Sequence, residues 1–363
     1  MAHQHPEPSA AQTDPEPAAP TPPRRRSRPT IGDVAALARV SKATVSFVVN
    51  GRAGVSSRAR QRVLEAAAEL GWQPSAGARA LSTRRAQALG LVIRRPPELL
   101  STDPFFPQFL AGVESGLSPL DYALVLQVVE TEEAERNAYE RLSHDGRADG
   151  VFLTDLQLDD RRPVLTDRLG LAALIIGPER PDSPVPALGV DDAEGVRRAV
   201  EHLHALGHRR IGHVSGAEGY VHAEARRRAW TAALDDAGLP EGPLEAADFT
   251  GAGGARATHA LLDLPEPPTA ILYANDLMAI AGIAAATGRG LRVPEDLSVV
   301  GFDDIPLSEY IAPPLTTIRQ DVIAWGRAAA QQLVSLAQGH PFQATALPPV
   351  EFVARASTAP PAR

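Results

Sequence analysis

Residues 30–51 read TIGDVAALARVSKATVSFVVNG, and this stretch shows the clearest helical pattern of the amino-terminal region. Thr30 offers a hydroxyl that can cap a helix, and Asp33 lies in the first turn behind it, as in a capping box. Apolar residues then recur at helical spacing, and Ser41 offers a second helix cap. We therefore predict two short helices that are joined by a tight turn.

The second predicted helix runs from about Lys42 to Asn50, where an Asn-Gly pair ends it. A third helix follows after Ser56 or Ser57, and Gly71 stands where a carboxyl-terminal capping glycine is expected. Two short helices that are braced by a third are typical of a helix-turn-helix unit.

Charge is distributed unevenly along the chain. The net charge is −8, yet residues 24–85 hold 13 Lys and Arg against three Asp and Glu. A small basic unit on an acidic body indicates a polyanion as the partner of one end. A solvated basic surface would give the same counts, so charge alone does not separate the two interpretations.

Length and composition restrict the remaining classes. A chain of 363 residues is long enough for two or three domains. It has no cysteine, which excludes disulfides, thiolate metal sites and cysteine nucleophiles. No apolar run approaches the ~18 residues of a membrane span, and residues 1–23 show no apolar core of a secretory signal. We expect a cytoplasmic protein without a membrane partner.

From Leu89 onward, short β-rich runs alternate with amphipathic helical stretches. We predict strands at 89–93, 123–129, 150–154, 172–177, 210–215, 269–273 and 297–301, and helices at 132–144, 192–206, 223–237 and 277–287. This alternation predicts parallel α/β sheets, and its length favours two doubly wound subdomains. Ligands of such folds bind beyond the carboxyl ends of the strands or in a cleft between domains.

The stretch from Thr30 closely resembles the headpiece of the LacI-type (lactose-repressor-like) transcriptional regulators. The resemblance continues at Gly71-Trp72-Gln73-Pro74, Ala78-Arg79-Ala80-Leu81, Gly207-His208-Arg209-Arg210-Ile211, Ala274-Asn275-Asp276, Arg292-Val293-Pro294-Glu295-Asp296, Val300-Gly301-Phe302-Asp303-Asp304 and Pro314-Leu315-Thr316-Thr317-Ile318. It covers nearly everything from Thr30 to about Ser357.

The resemblance implies an all-α helix-turn-helix headpiece and an α/β periplasmic-binding-protein-like core of two doubly wound subdomains. The expected parts are a disordered tail at 1–29, the headpiece at 30–73, a hinge helix and linker at 74–85, the effector-binding and dimerisation core at 86–357, and a tail at 358–363. Within the core, we expect an N-subdomain at about 86–186 and 319–346 and a C-subdomain at about 187–318 and 347–357.

The resemblance also implies which residues bind DNA. They are Thr30, Ser41, Lys42, Ala43, Thr44, Ser46, Phe47 and Asn50 of the headpiece and Ala78, Arg79 and Leu81 of the hinge. Lys42, the only lysine of the chain, can donate to guanine, and Ala43 can contact a thymine methyl group. Phe47 contacts bases or only covers the headpiece. Leu81 is at the position of the wedge that kinks the minor groove.

Effector binding is implied for Phe105, Phe106, Tyr220, His222, Arg226, Phe249, Asn275 and Asp303. A carboxylate, a guanidinium and an amide can share the vicinal hydroxyls of a sugar through charge-assisted hydrogen bonds. The three phenylalanines can stack on its apolar face, or they can be plain core. Tyr220 and His222 are less typical of the family, so we do not commit to a common hexose.

We therefore expect a repressor that binds a pseudo-palindromic DNA operator as a homodimer. A small-molecule effector should control this binding, and a sugar is the first candidate. The alternatives are a nucleobase or nucleoside effector, or a sugar-binding protein without a DNA role. We find no catalytic constellation and predict no enzyme activity, no metal site and no cofactor.

Overall fold

The computed structural model describes residues 29–49, 53–73, 85–95 and 103–362. The chain divides into two compact units, Met1–Thr83 and Arg84–Arg363, and each is described by itself. Four of the predicted DNA-binding residues, namely Asn50, Ala78, Arg79 and Leu81, lie outside the described residues. Within the described part, no helix is both long and apolar enough to cross a bilayer.

Three helices form the described part of the first unit. They are α1 (Ile31–Ala38), α2 (Lys42–Val49) and α3 (Ser57–Glu69). The capping box is confirmed, because the backbone N–H of Thr30 donates to Asp33 (2.7 Å) and the N–H of Asp33 donates back to the Thr30 hydroxyl (3.4 Å). Ser56 caps α3. Small apolar side chains from all three helices make one core: Val34, Ala35, Ala38, Val45, Val48, Val63 and Ala66.

The second unit contains two parallel sheets. The first has the order β2-β1-β3-β4-β5. Its strands are β1 (Ala88–Arg94), β2 (Ala123–Val129), β3 (Gly150–Leu153), β4 (Ala172–Ile176) and β5 (Ala187–Leu188). The helices α4 (Phe105–Leu117), α5 (Glu132–His144), α6 (Arg162–Arg168) and α11 (Val322–Ala337) pack on it. The apolar faces of β1, β3 and β4 are buried beneath these helices, as parallel strands require, whereas the edge strand β2 is partly exposed.

The second sheet has the order β7-β6-β8-β9. Its strands are β6 (Ile211–Ser215), β7 (Leu244–Ala246), β8 (Ala270–Tyr273) and β9 (Ser298–Val300). The helices α7 (Asp192–Ala205), α8 (Val221–Asp236), α9 (Gly251–Leu262) and α10 (Asp276–Gly288) cover its faces. A separate antiparallel pair joins β10 (Thr317–Arg319) to β11 (Glu351–Val353). The predicted two-subdomain α/β architecture is confirmed.

Two details of the structure lie at the predicted domain boundaries. β5 pairs with β4, so the first sheet includes Ala187 and Leu188, just beyond the predicted boundary at about 186. The predicted tail at 358–363 is held through Ala359, whose N–H donates to Ser298 Oγ (3.0 Å). The carbonyl of Ser357 also accepts from the N–H of Val299 (2.8 Å), so this segment bonds to strand β9.

Candidate effector cleft and nucleic-acid interface

A cavity of about 190 Å³ lies between the two subdomains, where the carboxyl ends of both parallel sheets meet. Its polar lining includes Arg95, Asp103, Thr154, Asp155, Asp191, Asp192, His222, Arg226, Asn275, Asp303 and Gln320. Its aromatic lining consists of Phe105, Phe249 and Trp325. This is the place that the fold class predicts for a ligand.

The structure brings six of the eight predicted effector residues to this cavity: Phe105, His222, Arg226, Phe249, Asn275 and Asp303. The other two are not in its lining. Phe106 follows Phe105 on α4, so its ring points in another direction and is buried against the first sheet, where it is only 1% exposed. There it packs against the guanidinium of Arg95. Tyr220 precedes α8 and lines a smaller adjacent cavity, with its ring 5.6 Å from that of His222.

Arg226 is fixed by bonds on two sides. Its Nε donates to Asp192 (2.8 Å) and its Nη1 donates to the carbonyl of Ala274 (2.6 Å). The guanidinium also lies 3.6 Å from the ring centre of Phe302. Gln320 donates to the second oxygen of Asp192 (3.2 Å), so the guanidinium reaches the cavity already oriented.

Asn275 has a structural task as well as a place in the cavity. Its carbonyl oxygen caps α10 by accepting from the N–H of Met278 (2.9 Å). Its amide donates to the carbonyl of Phe249 (2.9 Å), a residue held at a positive φ of 65°. The ring of Phe249 stacks on that of His222 at 5.1 Å. Burial, followed by the charge of Arg226, lowers the pKa of His222 to about 3, so this imidazole is neutral.

Asp303 is held in a strained backbone conformation with φ of 108°. Its N–H donates to the carbonyl of Ile318 (2.8 Å). Burial raises the pKa of its carboxyl group well above the usual range; Arg226 opposes this shift, whereas Asp276, Asp103 and Asp192 add to it. No donor within the described residues bonds to this carboxyl group, which lines the cavity. A ligand hydroxyl that donates to it would favour its ionised form and so oppose the effect of burial.

Sequence reasoning missed an ion triplet in the same cavity. Arg95 donates from Nε and Nη2 to the two oxygens of Asp155 (2.7 and 2.9 Å) and from Nη1 to Asp103. Asp103 also accepts from the N–H of Phe105 (2.9 Å). A signal did exist, because Asp155 follows directly after one predicted strand and Arg95 lies two residues beyond the end of another.

The candidate nucleic-acid interface is the amino-terminal part of α2. The side chains of Ser41, Lys42, Ala43 and Phe47 are exposed, whereas Val45 and Val48 are buried in the core of the unit. Ser41 caps the helix by accepting from the N–H of Thr44 (3.1 Å). Thr44 and Ser46 are partly exposed, and the hydroxyl of Thr30 donates to Asp33 (2.8 Å).

Comparisons with known proteins agree with this organisation. Residues 30–75 match the family described as bacterial regulatory proteins, lacI family, and residues 200–358 match a periplasmic binding protein-like domain. The HTH-type transcriptional regulator CelR of Thermobifida fusca is 35% identical over 87% of this chain and 94% of its own length. The HTH-type transcriptional repressor CytR of Escherichia coli is 31% identical over 92% and 98%.

Solved structures show the same relationship. The lac repressor dimer bound to operator and the anti-inducer ONPF has a TM-score of 0.80 and 32% identity, covering 92% of this chain and all of that one. The CelR–cellobiose complex has a TM-score of 0.67 and 32% identity, covering 91% of this chain and all of that one. The chain therefore belongs to the lacI family of bacterial regulatory proteins.

Proposed function

We propose that this protein is a cytoplasmic transcriptional repressor, without enzyme activity, whose operator binding is controlled by a small molecule in the cleft. One observation carries the proposal: the chain that exposes the amino-terminal face of α2 also gathers Arg226, Asn275 and Asp303 in one cavity. The names of the relatives CelR and CytR support a regulatory role, as does the operator-bound lac repressor dimer.

The proposed effector is a sugar. Asp303 supplies an acceptor, and the guanidinium and amide groups of Arg226 and Asn275 each keep further N–H donors beyond their recorded bonds. Two neighbouring hydroxyls of a sugar can donate to the carboxyl group of Asp303 and accept from the guanidinium of Arg226 and the amide of Asn275. Phe105 and Trp325 supply flat apolar surface for the ring. The CelR structure with cellobiose supports this class of ligand.

The charge of the cavity disfavours an anionic effector. Four carboxylates line it, those of Asp103, Asp155, Asp191 and Asp192, against two guanidinium groups, and Asp303 adds a fifth carboxyl group whose pKa is raised by burial. Each guanidinium already contacts a carboxylate of the same cavity. A phosphate or carboxylate on the ligand would therefore meet an excess of like charge.

A nucleobase or nucleoside is the second candidate effector. The stacked rings of Phe249 and His222 favour it, because they present a flat face beside the polar groups of the cavity. Relatives of comparable similarity include the HTH-type transcriptional repressor PurR of Aliivibrio fischeri, 36% identical over 84% of this chain and 90% of its own length.

For the DNA interface, we propose base contacts by Lys42 and Ala43 and phosphate contacts by Ser41, Thr44 and Ser46, with α2 in the major groove. The exposure of Ser41, Lys42 and Ala43 supports this assignment. Phe47 is 40% exposed, which is compatible with either of its two predicted roles. Hinge contacts by Ala78, Arg79 and Leu81 remain predictions.

We also propose that the active form is a homodimer. β2 is an edge strand of the first sheet and exposes Leu126 and Val128, and the second subdomain exposes 79% of Tyr310. Exposed apolar residues at a sheet edge are unfavourable unless another chain covers them. We propose that a second copy of this chain covers them, because a two-fold symmetric operator is bound by a dimer of identical chains.

The test starts with full-length protein and a pool of random DNA duplexes, from which the retained duplex is selected. Release of that duplex is then measured with cellobiose, glucose, glucose 6-phosphate, adenine and adenosine. Release or tightening by a neutral sugar, with no effect of the phosphorylated sugar, supports the proposal. A response to adenine or adenosine alone selects the second candidate, and a failure to retain any duplex both with and without these compounds contradicts the regulatory role.

A further inference from the structure

Asp149 binds the chain at the point where the predicted linker enters the core. Its two carboxylate oxygens accept from two consecutive backbone groups, the N–H of Ala86 (2.6 Å) and the N–H of Gln87 (2.9 Å). Gln87 has φ of 52°, in the left-handed region that side chains other than glycine rarely adopt. Such a conformation persists only where several bonds fix it together.

Neighbouring strands supply the other bonds. The carbonyl of Gln87 accepts from the N–H of Ala123 (2.9 Å), at the start of β2. The N–H of Asp149 donates to the carbonyl of Ala88 (2.8 Å), at the start of β1. The first residues of the core are thus fixed both by β2 and by the residue that precedes β3.

Strands β1 and β3 are also connected at their carboxyl ends. β1 leads to Arg95 and β3 leads to Asp155, and these two side chains form the two-bond ion pair of the effector cavity. β1 and β3 are parallel neighbours, with Leu89 opposite Gly150. Side-chain bonds therefore join this pair of strands at the amino ends, beside the linker, and at the carboxyl ends, in the cleft.

We propose that Asp149 is a positioning residue that sets the direction in which the chain leaves the core toward the linker. In this proposal β1 and β3 connect it mechanically to the Arg95–Asp155 pair in the cleft. The role as a link between effector and linker rests on the proposed function. The bonds themselves do not, and the test below needs neither an effector nor an operator.

The physical basis is the strength of the two hydrogen bonds. A carboxylate that accepts from backbone N–H groups makes charge-assisted bonds, which are about twice as strong as neutral ones. Losing them leaves the strained Gln87 with fewer constraints, and the peptide can then relax toward a common conformation. Relaxation at Gln87 would change the direction of the two described residues that precede it, Arg85 and Ala86.

The first arm of the test measures hydrogen exchange, resolved to single amides, in full-length protein. Asp149→Ala should raise the exchange rates of the Ala86 and Gln87 amides about tenfold or more, because both acceptors are lost. Asp149→Asn keeps one acceptor and should raise only one of the two rates. Asp145→Asn is the control, since this exposed carboxylate four residues earlier bonds to Arg147 and should change neither rate.

The second arm tests the connection along the strands. Asp155→Asn and Asp103→Asn each weaken a bond to Arg95, but only Asp155 follows β3. Faster exchange at Ala86 and Gln87 in the Asp155 variant alone supports the connection. Equal rates in both variants, or unchanged rates in Asp149→Ala, overturn the proposal. Faster exchange at all amides of the second sheet would mean that a variant has lost global stability. Such a variant is set aside, and the comparison of Asp149→Asn with Asp149→Ala then decides the test.

Discussion

The exposed face of α2 and the effector cleft are assembled in different ways. The face takes Ser41, Lys42, Ala43 and Phe47 from one helix and its cap. The cleft takes its polar groups from positions between Arg95 and Gln320, and long-range pairing places them. A site on one helix follows from local rules of capping and periodicity, whereas a convergent site depends on tertiary contacts.

Separating the two units is the strongest test of this difference. A fragment of residues 86–363 should lose retention of the selected duplex completely, because it lacks α2 and the whole basic segment of residues 24–85. It should still bind the effector and dimerise, since its hydrophobic clusters are independent of the first unit. Sedimentation and a ligand titration check this. A fragment that still retains the duplex would place the DNA interface elsewhere.

Salt should affect the two sites unequally. Residues 24–85 carry 13 cationic side chains, so DNA binding by the full chain should weaken about 10³-fold between about 50 and 200 mM salt through counterion release. Effector binding should change little, because the cleft acts through hydrogen bonds. Filter retention measures the affinity for DNA, and a ligand titration measures the affinity for the effector. A flat salt profile for DNA would mean that the basic segment is only a solvated surface.

Arg226→Ala should destabilise the core by about 3–5 kcal/mol, the range for breaking a buried ion pair. The change removes the donors to Asp192 and to the Ala274 carbonyl together. Arg228→Ala is the matched control on the same helix: its side chain is 72% exposed, and its bond to Glu224 should contribute at most about 1 kcal/mol. Urea unfolding measures both. An Arg226 variant as stable as the control would leave the guanidinium as a ligand contact only.

Local rules predicted much of the fold. The caps at Thr30 and Ser56 and all seven predicted strands are present, with strand ends shifted by at most one residue. Four strands were not predicted, β5, β7, β10 and β11, because two or three residues are too short to show periodicity. Each of these is defined by its partner strand rather than by its own sequence.

Site prediction was weaker where contacts decide orientation. Phe106 was assigned to the cavity with Phe105, yet a helix turns adjacent residues about 100° apart, so only one of the two rings faces the ligand. Arg95 was missed because its orientation depends on Asp155, 60 residues away. The ends of the predicted strands pointed to both residues, but the sequence did not show that they form a pair.

Asp303→Asn should weaken effector binding by about 1.5–3 kcal/mol, the range for a hydrogen bond to a charged group, because a ligand hydroxyl that donates to this carboxyl group favours its ionised form. The amide keeps the shape of the side chain, and no described donor loses a partner, so the unfolding free energy should stay close to that of the unchanged protein. Operator binding without effector should also stay the same, because a ligand shifts DNA binding only through its different affinities for two core conformations. Calorimetric titration with the identified effector measures the loss. A titration midpoint equal to that of the unchanged protein would remove Asp303 from the site.

Lys42→Ala should have the smallest effect, about 1–3 kcal/mol, at one base pair of each half-site. Lys42 is exposed at the first turn of α2, where its ammonium group lies near Asp33 but makes no contribution to the apolar core of the unit. Its removal should therefore leave the headpiece folded and change only what the helix recognises. The measurement compares the affinity for the selected duplex with that for single-base variants, in Lys42→Ala and in Arg39→Ala, a control at the exposed end of α1. A base contact lowers discrimination at one position and leaves the others unchanged. If Lys42→Ala weakens binding to every duplex by the same factor, the lysine contacts phosphate, and the face of α2 must read its sequence through Ala43 and Phe47 instead.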